Sequence, residues 1–140
     1  MSKALTVCLV GIPIVAYSPI GRGFLSDAFR KLDDLPEKDY RRLMFPRFQA
    51  DVFDQNMKLV EAVEKIAKRK GLTTAQVAIG WVVRQGAIPI PGSSNMERVV
   101  QNSKAAVLTD EDMIEIQKIL ETMPVAGARY GPGQEKLLNA

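Results

Sequence analysis

The residues best suited to chemistry lie in Ala87-Ile88-Pro89-Ile90-Pro91-Gly92-Ser93-Ser94-Asn95-Met96-Glu97-Arg98-Val99-Val100-Gln101-Asn102. Their order predicts a short buried strand, a glycine turn and the first turns of a helix. Ser94 stands three residues before Glu97, the spacing of a capping box, which makes Ser94 the expected N-cap. The start of a helix leaves backbone N–H groups unpaired at the positive end of its dipole, a setting that suits an anion. Gly92 allows the backbone a close approach, Ser93 and Ser94 add hydroxyls, and Arg98 offers a planar fork for a phosphate. Taken alone, the S-x-x-E spacing most often does no more than cap a helix.

A second stretch, Val15-Ala16-Tyr17-Ser18-Pro19-Ile20-Gly21-Arg22-Gly23, also leads from an apolar run into a glycine-rich turn. Ile12 to Ala16 has the near-continuous apolar character of a parallel strand buried on both faces. Such a strand delivers Tyr17 and Ser18 to its C-terminal tip. Read from residue type alone, Tyr17 is a core aromatic with a wet hydroxyl.

Composition sets the outer bounds. With 140 residues the chain is long enough for one domain with a core, and 46% hydrophobic and 25% charged residues are ordinary for a globular protein. The net charge of +3 is diffuse and does not call for nucleic acid. Thr73–Gln85 followed by Ser94–Ala105 loosely resembles a helix-turn-helix, but the link is too long and too proline-rich for its tight turn. The single Cys8 leaves no intrachain disulfide, and the lack of histidine excludes Ser-His-Asp and Cys-His machinery and histidine metal sites. No metal site is expected. The apolar run Leu5–Ile14 is too short to span a bilayer, so no membrane partner is expected and the chain reads as cytoplasmic.

Several elements must hold the two stretches in place. A helix is expected over Asp54–Lys70, with Leu59, Val63, Ile66 and Ala67 inward and a stop at Gly71. Thr73 and Gln76 form a capping box for a helix that presents Val77, Ala78, Trp81 and Val82 and closes at Gly86. A last helix starts at Thr109, buries Met113, Ile116 and Leu120, and ends before Pro124. The charges from Lys65 to Lys70 read as a solvated face near a helix end. Between Phe24 and Phe53 the pattern loosens. Pro36 marks a helix start there, and Phe45-Pro46-Arg47-Phe48 belongs to a long loop. Leu5–Val10 has the β-branched content of a further strand. The glycine-rich segment from Val125 onward is expected to be mobile.

AYSPIGRG, PRFQ, TTAQVAIGWVV, IPGSSNMERVVQN and LTDEDM occur here in one order. In that order they resemble the C-terminal half of an aldo-keto reductase, and most closely its pyridoxal-reductase-like and plant-type branch. The resemblance covers about Gly11 to Tyr130. It divides the chain into a poorly matched start (1–10), a cofactor-binding half-barrel (11–130) and a flexible tail (131–140). The implied fold is α/β, a partial (β/α)8 TIM barrel whose seventh and eighth strands carry the two stretches. The implied cofactor is NADP(H), and the implied substrate of the complete enzyme is a small aldehyde or ketone. In the family Tyr17 would stack on the nicotinamide, and Ser18, Ile20 and Gly21 would hold the pyrophosphate. Arg22 would reach phosphate or substrate. Ser93 would meet the adenosine phosphate, Arg98 the 2′-phosphate and adenine, and Asn102 and Gln101, the latter standing where many members have glutamate, the adenine edge. Gly92 stands where many members have a lysine, which removes one cation from the 2′-phosphate pocket. The PRF segment would either fold over the cofactor or serve as a surface connection with two packed phenylalanines.

The family's Asp, Tyr, Lys and His tetrad lies on earlier strands, and a chain without histidine does not hold it. No catalytic residue is therefore assigned. A whole barrel takes about 250 residues. Two strands cannot close, and open edges invite self-association. A non-catalytic NADP(H)-binding or regulatory relative is the alternative reading.

Overall fold

The computed structural model describes residues 11–131, 133 and 134. The strand expected at Leu5–Val10 and most of the tail lie outside the described residues. Two strands, β1 (Ile14–Tyr17) and β2 (Ala87–Ile90), pair in parallel with Ile14 opposite Ala87 and Tyr17 opposite Ile90. Between them run α1 (Tyr40–Met44), α2 (Ala50–Arg69) and α3 (Thr74–Arg84), and after them α4 (Met96–Asn102) and α5 (Asp110–Thr122). A parallel pair joined through helices is the β–α logic of a barrel segment.

Burial alternates along both strands, so the expectation of strands covered on both faces is corrected. Val15, Tyr17, Ile88 and Ile90 share one face, and each is about half exposed (45–55%). Among the described residues no further strand joins this sheet, and that apolar face is left half exposed.

Helix α2 is the spine, and it begins four residues earlier than Asp54. Its Phe53, Met57 and Val60 face one core, while Leu59, Val63, Ile66 and Ala67 face another shared with Val77, Leu108 and Ile116. The first core gathers all five phenylalanines, Phe24, Phe29, Phe45, Phe48 and Phe53. Phe24 alone meets Phe29, Phe48 and Phe53 at centroid distances of 5.5, 4.7 and 5.1 Å. The segment that reads as a loose loop is thus a wrapped aromatic core, held by rings rather than by helical period. Pro36 opens a turn closed by Asp39 N–H on its carbonyl (2.9 Å), and the helix start belongs to Asp39, whose carboxylate caps α1.

Two capping boxes form where expected. Thr73 Oγ1 accepts from Gln76 N–H and Gln76 Oε1 from Thr73 N–H, and Thr109 and Asp112 reciprocate in the same way at α5. Gln76 also donates to the Lys104 carbonyl (2.9 Å), tying α3 to the connection after α4. Lys70 and Arg69, expected on a purely solvated face, reach Asp112 at 2.6 and 3.4 Å and join α2 to α5.

Within the described residues, Val125–Tyr130 is docked rather than loose. Asn56 brackets Ala126, and Arg47 Nε donates to the Gly127 carbonyl (3.2 Å). Gly127, at φ +80°, lies so close to Pro46 that a Cβ would meet its carbonyl at 2.9 Å. Glycine there serves docking. No helix among the described residues is long and apolar enough to cross a membrane.

Candidate dinucleotide cleft

The turn after β1 is folded by left-handed residues. Ser18 (φ +50°) and Arg22 (φ +57°) adopt this conformation without being glycine, alongside Gly21 and Gly23. Gly21 N–H closes on the Ser18 carbonyl (3.0 Å) and Gly23 N–H on that of Ile20 (3.1 Å). Non-glycine residues pay roughly 1–2 kcal/mol each for such backbone, and strain of this kind gathers where ligands bind.

The turn after β2 is built by side chains. Ser93 Oγ accepts from Asn95 N–H (3.1 Å), and Asn95 Oδ1 accepts from Arg98 N–H (3.0 Å). Asn95 is therefore the N-cap of α4, and the expected Ser94–Glu97 box does not form. Asparagine caps as well as serine does, and the Ser93 hydroxyl fixes Asn95 in the extended conformation that a cap requires. The resulting helix has only seven residues, so its dipole is a minor attraction beside the Arg98 charge.

A cleft of about 510 Å³ opens between the two turns. Ser18, Pro19, Ile20 and Arg22 line it from the first, Ile90, Gly92, Ser93 and Ser94 from the second, and Arg98, Gln101 and Asn102 from α4. Of the ten residues singled out in the sequence, eight share this cleft. Gly21 lines the neighbouring cavity, and Tyr17 stands at the tip of β1 beside Ile90. Asn102 is buried, whereas Arg98 is exposed and, among the described residues, has no carboxylate partner. A long cleft carrying hydroxyls, amides and a free guanidinium suits an elongated polyanion with an amide-binding end.

Tyr17 is half exposed, and its hydroxyl meets that of Tyr130 at 3.1 Å and Arg129 Nη1 at 3.5 Å. The Tyr130 hydrogen bond, aided by the Arg129 and Arg22 charges and opposed by partial burial, holds the Tyr17 hydroxyl below the usual phenol range.

Ser26, Asp27, Arg41 and Thr73 complete the cleft wall and are not legible from the sequence. Arg41 is locked by Asp39 (2.8 Å) and donates to the Arg22 carbonyl (3.1 Å), which braces the strained turn. Nothing in the local pattern of Tyr40-Arg41-Arg42 marks one arginine over the other. Phe45 and Phe48 are buried in the aromatic core, as the packed-phenylalanine reading has it, and the PRF segment does not line the cleft.

The sequence model of the aldo/keto reductase family matches residues 2–121. The chain is 40% identical over 126 residues to the aldo-keto reductase yakc of Schizosaccharomyces pombe, whose name carries NADP(+). That alignment covers 87% of this chain and 37% of the relative. An aldo-keto reductase of Gibberella moniliformis is 37% identical over 123 residues, covering 85% of this chain and 37% of its own length. Among solved structures, the glycerol dehydrogenase AKR11B4 from Gluconobacter oxydans superposes with a TM-score of 0.74 at 25% identity. It takes in 90% of this chain and 38% of that one. The chain thus spans a little over a third of the length of these relatives.

Proposed function

Because the chain belongs to the aldo/keto reductase family of oxidoreductases, we propose that the cleft between the β1 and β2 tips is the NADP(H) site of a carbonyl reductase. One observation carries the reading: five residues from two turns 70 or more positions apart in the chain, with three more from α4, line a single cleft. Ser18 and the strained Ile20–Arg22 backbone hold the pyrophosphate. Gly92 and Ser93 admit the adenosine phosphate, Arg98 pairs with the 2′-phosphate and packs on adenine, and Gln101 and Asn102 bind the adenine edge. Charge-assisted contacts are about twice as strong as neutral ones, so Arg98 sets the preference for NADPH over NADH. Tyr17 gives the nicotinamide a flat platform.

When bound, the cofactor supplies the hydride for an aldehyde or ketone. The residues of this chain bind and orient. None is assigned the proton transfer, and with no histidine in the sequence the chain taken alone does not turn over a carbonyl substrate. The setting is cytoplasmic, in keeping with a sequence whose single cysteine leaves no intrachain disulfide.

Titration with NADPH, followed by nicotinamide fluorescence, should show saturable binding. Arg98→Ala should weaken it about tenfold, consistent with loss of a charged hydrogen bond. Added 4-nitrobenzaldehyde should leave the cofactor unoxidised. No saturable binding would refute the site, and turnover abolished by Tyr17→Phe would overturn the division between binding and catalytic residues.

The half-exposed apolar face of the sheet favours a second reading, a cofactor-binding subunit that associates through that face and its strand edges with itself or with a longer reductase. Co-purification of a full-length reductase with the chain would speak for it.

A further inference from the structure

Beside the dinucleotide cleft is a smaller cavity of about 110 Å³, and three arginines reach it from distant parts of the chain. Arg22 comes from the turn after β1, Arg47 from the Pro46–Phe48 turn and Arg129 from the docked C-terminal segment. Each is held in place. The Arg22 guanidinium lies 3.9 Å from the Phe45 ring centroid and 4.9 Å from that of Tyr130. Arg47 is anchored on the Gly127 carbonyl, and Arg129 lies 6.0 Å from the Tyr17 ring centroid.

The charge in this cavity is uncompensated. Its lining contains no aspartate or glutamate, and among the described residues none of the three arginines is in an ion pair. Elsewhere among the described residues, Arg98 apart, the guanidiniums meet carboxylates, as Arg30, Arg41, Arg69 and Arg84 show. Apart from Asn56, the side chains of the rest of the wall are apolar, among them Phe24, Phe48, Leu59 and Val60. Burial, and then repulsion from Arg129 and Arg22, lowers the Arg47 pKa from its ordinary value, with Tyr17 opposing. An anion is what such an arrangement accepts. A planar carboxylate matches the guanidinium fork, and an apolar floor suits a ligand with a hydrocarbon body.

We propose that this cavity binds the carboxylate of the substrate, so that the carbonyl compound handled beside Tyr17 is an aldehyde or keto acid with a small apolar body. The assignment rests on the reading of Tyr17 as the nicotinamide platform, because Arg129 ties the cavity to that ring. A volume of about 110 Å³ takes a carboxylate and a few carbons, and is too small for a nucleotide.

The test measures binding to the 140-residue chain, using 4-carboxybenzaldehyde and its neutral methyl ester in the presence of NADP+. The acid should bind at least about tenfold more tightly than the ester, roughly 1.4 kcal/mol. Arg129→Gln should remove that preference, while ester binding, NADPH binding and the melting temperature stay unchanged. Arg129→Lys, which keeps the charge but not the fork, should restore part of it. Equal affinity for acid and ester, or a preference that survives in the Arg47→Gln/Arg129→Gln double variant, overturns the proposal. A separate NADPH titration keeps the two readings apart. Cofactor binding without acid preference rejects the carboxylate cavity alone. Acid preference that depends on Arg129, without NADPH binding, upholds the cavity and rejects the cofactor cleft.

Discussion

Ala126 and Asn56 hold each other through a two-way hydrogen bond across 70 residues of sequence. The Ala126 N–H donates to Asn56 Oδ1 at 2.8 Å, and Asn56 Nδ2 returns to the Ala126 carbonyl at 3.0 Å. The same amide nitrogen donates to the Arg47 carbonyl at 3.1 Å. One buried side chain on α2 thus splices the PRF turn to the C-terminal segment.

Asn56→Leu should therefore undock that segment. Hydrogen bonds contribute about 0.5–1.5 kcal/mol each, and the carbonyl of Arg47 would be left without this donor. A loss of about 2 kcal/mol in urea unfolding is expected, with new proteolytic cleavage near residues 125–131. Unchanged protease resistance would show that Arg47 and Tyr130 hold the segment without Asn56.

What the sequence revealed and what it hid divide by physical range. The boxes at Thr73–Gln76 and Thr109–Asp112 were legible because a cap involves residues three apart. The cap of α4 was misplaced by one position, since Ser93, Ser94 and Asn95 are all good caps and only the bond from Asn95 N–H to Ser93 Oγ decides among them. The aromatic core was not legible, because Phe24, Phe29, Phe45, Phe48 and Phe53 follow no helical or strand period. The docking of Val125–Tyr130 was hidden by its glycine content, which in isolation reads as freedom. Both turns of the cleft could be named from the sequence, whereas Arg41 and the three-arginine cavity exist only through contacts between distant segments.

Gly80 offers a test in which two effects oppose each other. In the interior of a helix, glycine to alanine ordinarily gains close to ~1 kcal/mol. Here a Cβ would run into the Ala106 carbonyl, and that backbone is pinned by its N–H on the Gln76 carbonyl (3.1 Å). Overpacking should win, so Gly80→Ala should destabilise by about 1–3 kcal/mol in thermal or urea unfolding. A gain in stability would mean that the connection after α4 yields.

Asp112 should govern acid stability. The hydrogen bond from Lys70, with that from Thr109 N–H, lowers its pKa from 3.8 to about 2. A carboxylate with a depressed folded pKa stabilises the fold fully above its unfolded value. That contribution is lost as pH falls from about 4 towards about 2. Asp112→Asn should cost on the order of 1–2 kcal/mol at about pH 7 and flatten the unfolding midpoint across that window. A variant with the same acid slope as the parent chain would place the sensitivity elsewhere.

Tyr17 separates ring from hydroxyl. Its hydroxyl is already engaged by Tyr130 and lies 3.5 Å from Arg129, while about half of the side chain is left free at the tip of β1. If the ring is the nicotinamide platform, Tyr17→Phe should hold NADPH affinity within about twofold. Tyr17→Ala should weaken it about five- to tenfold, the scale of an aromatic stacking contact. Calorimetric titration of both variants decides the matter. A large loss in Tyr17→Phe would show that the hydroxyl, through Tyr130 and Arg129, is what the cofactor requires, and the flat-platform role would then have to be given up.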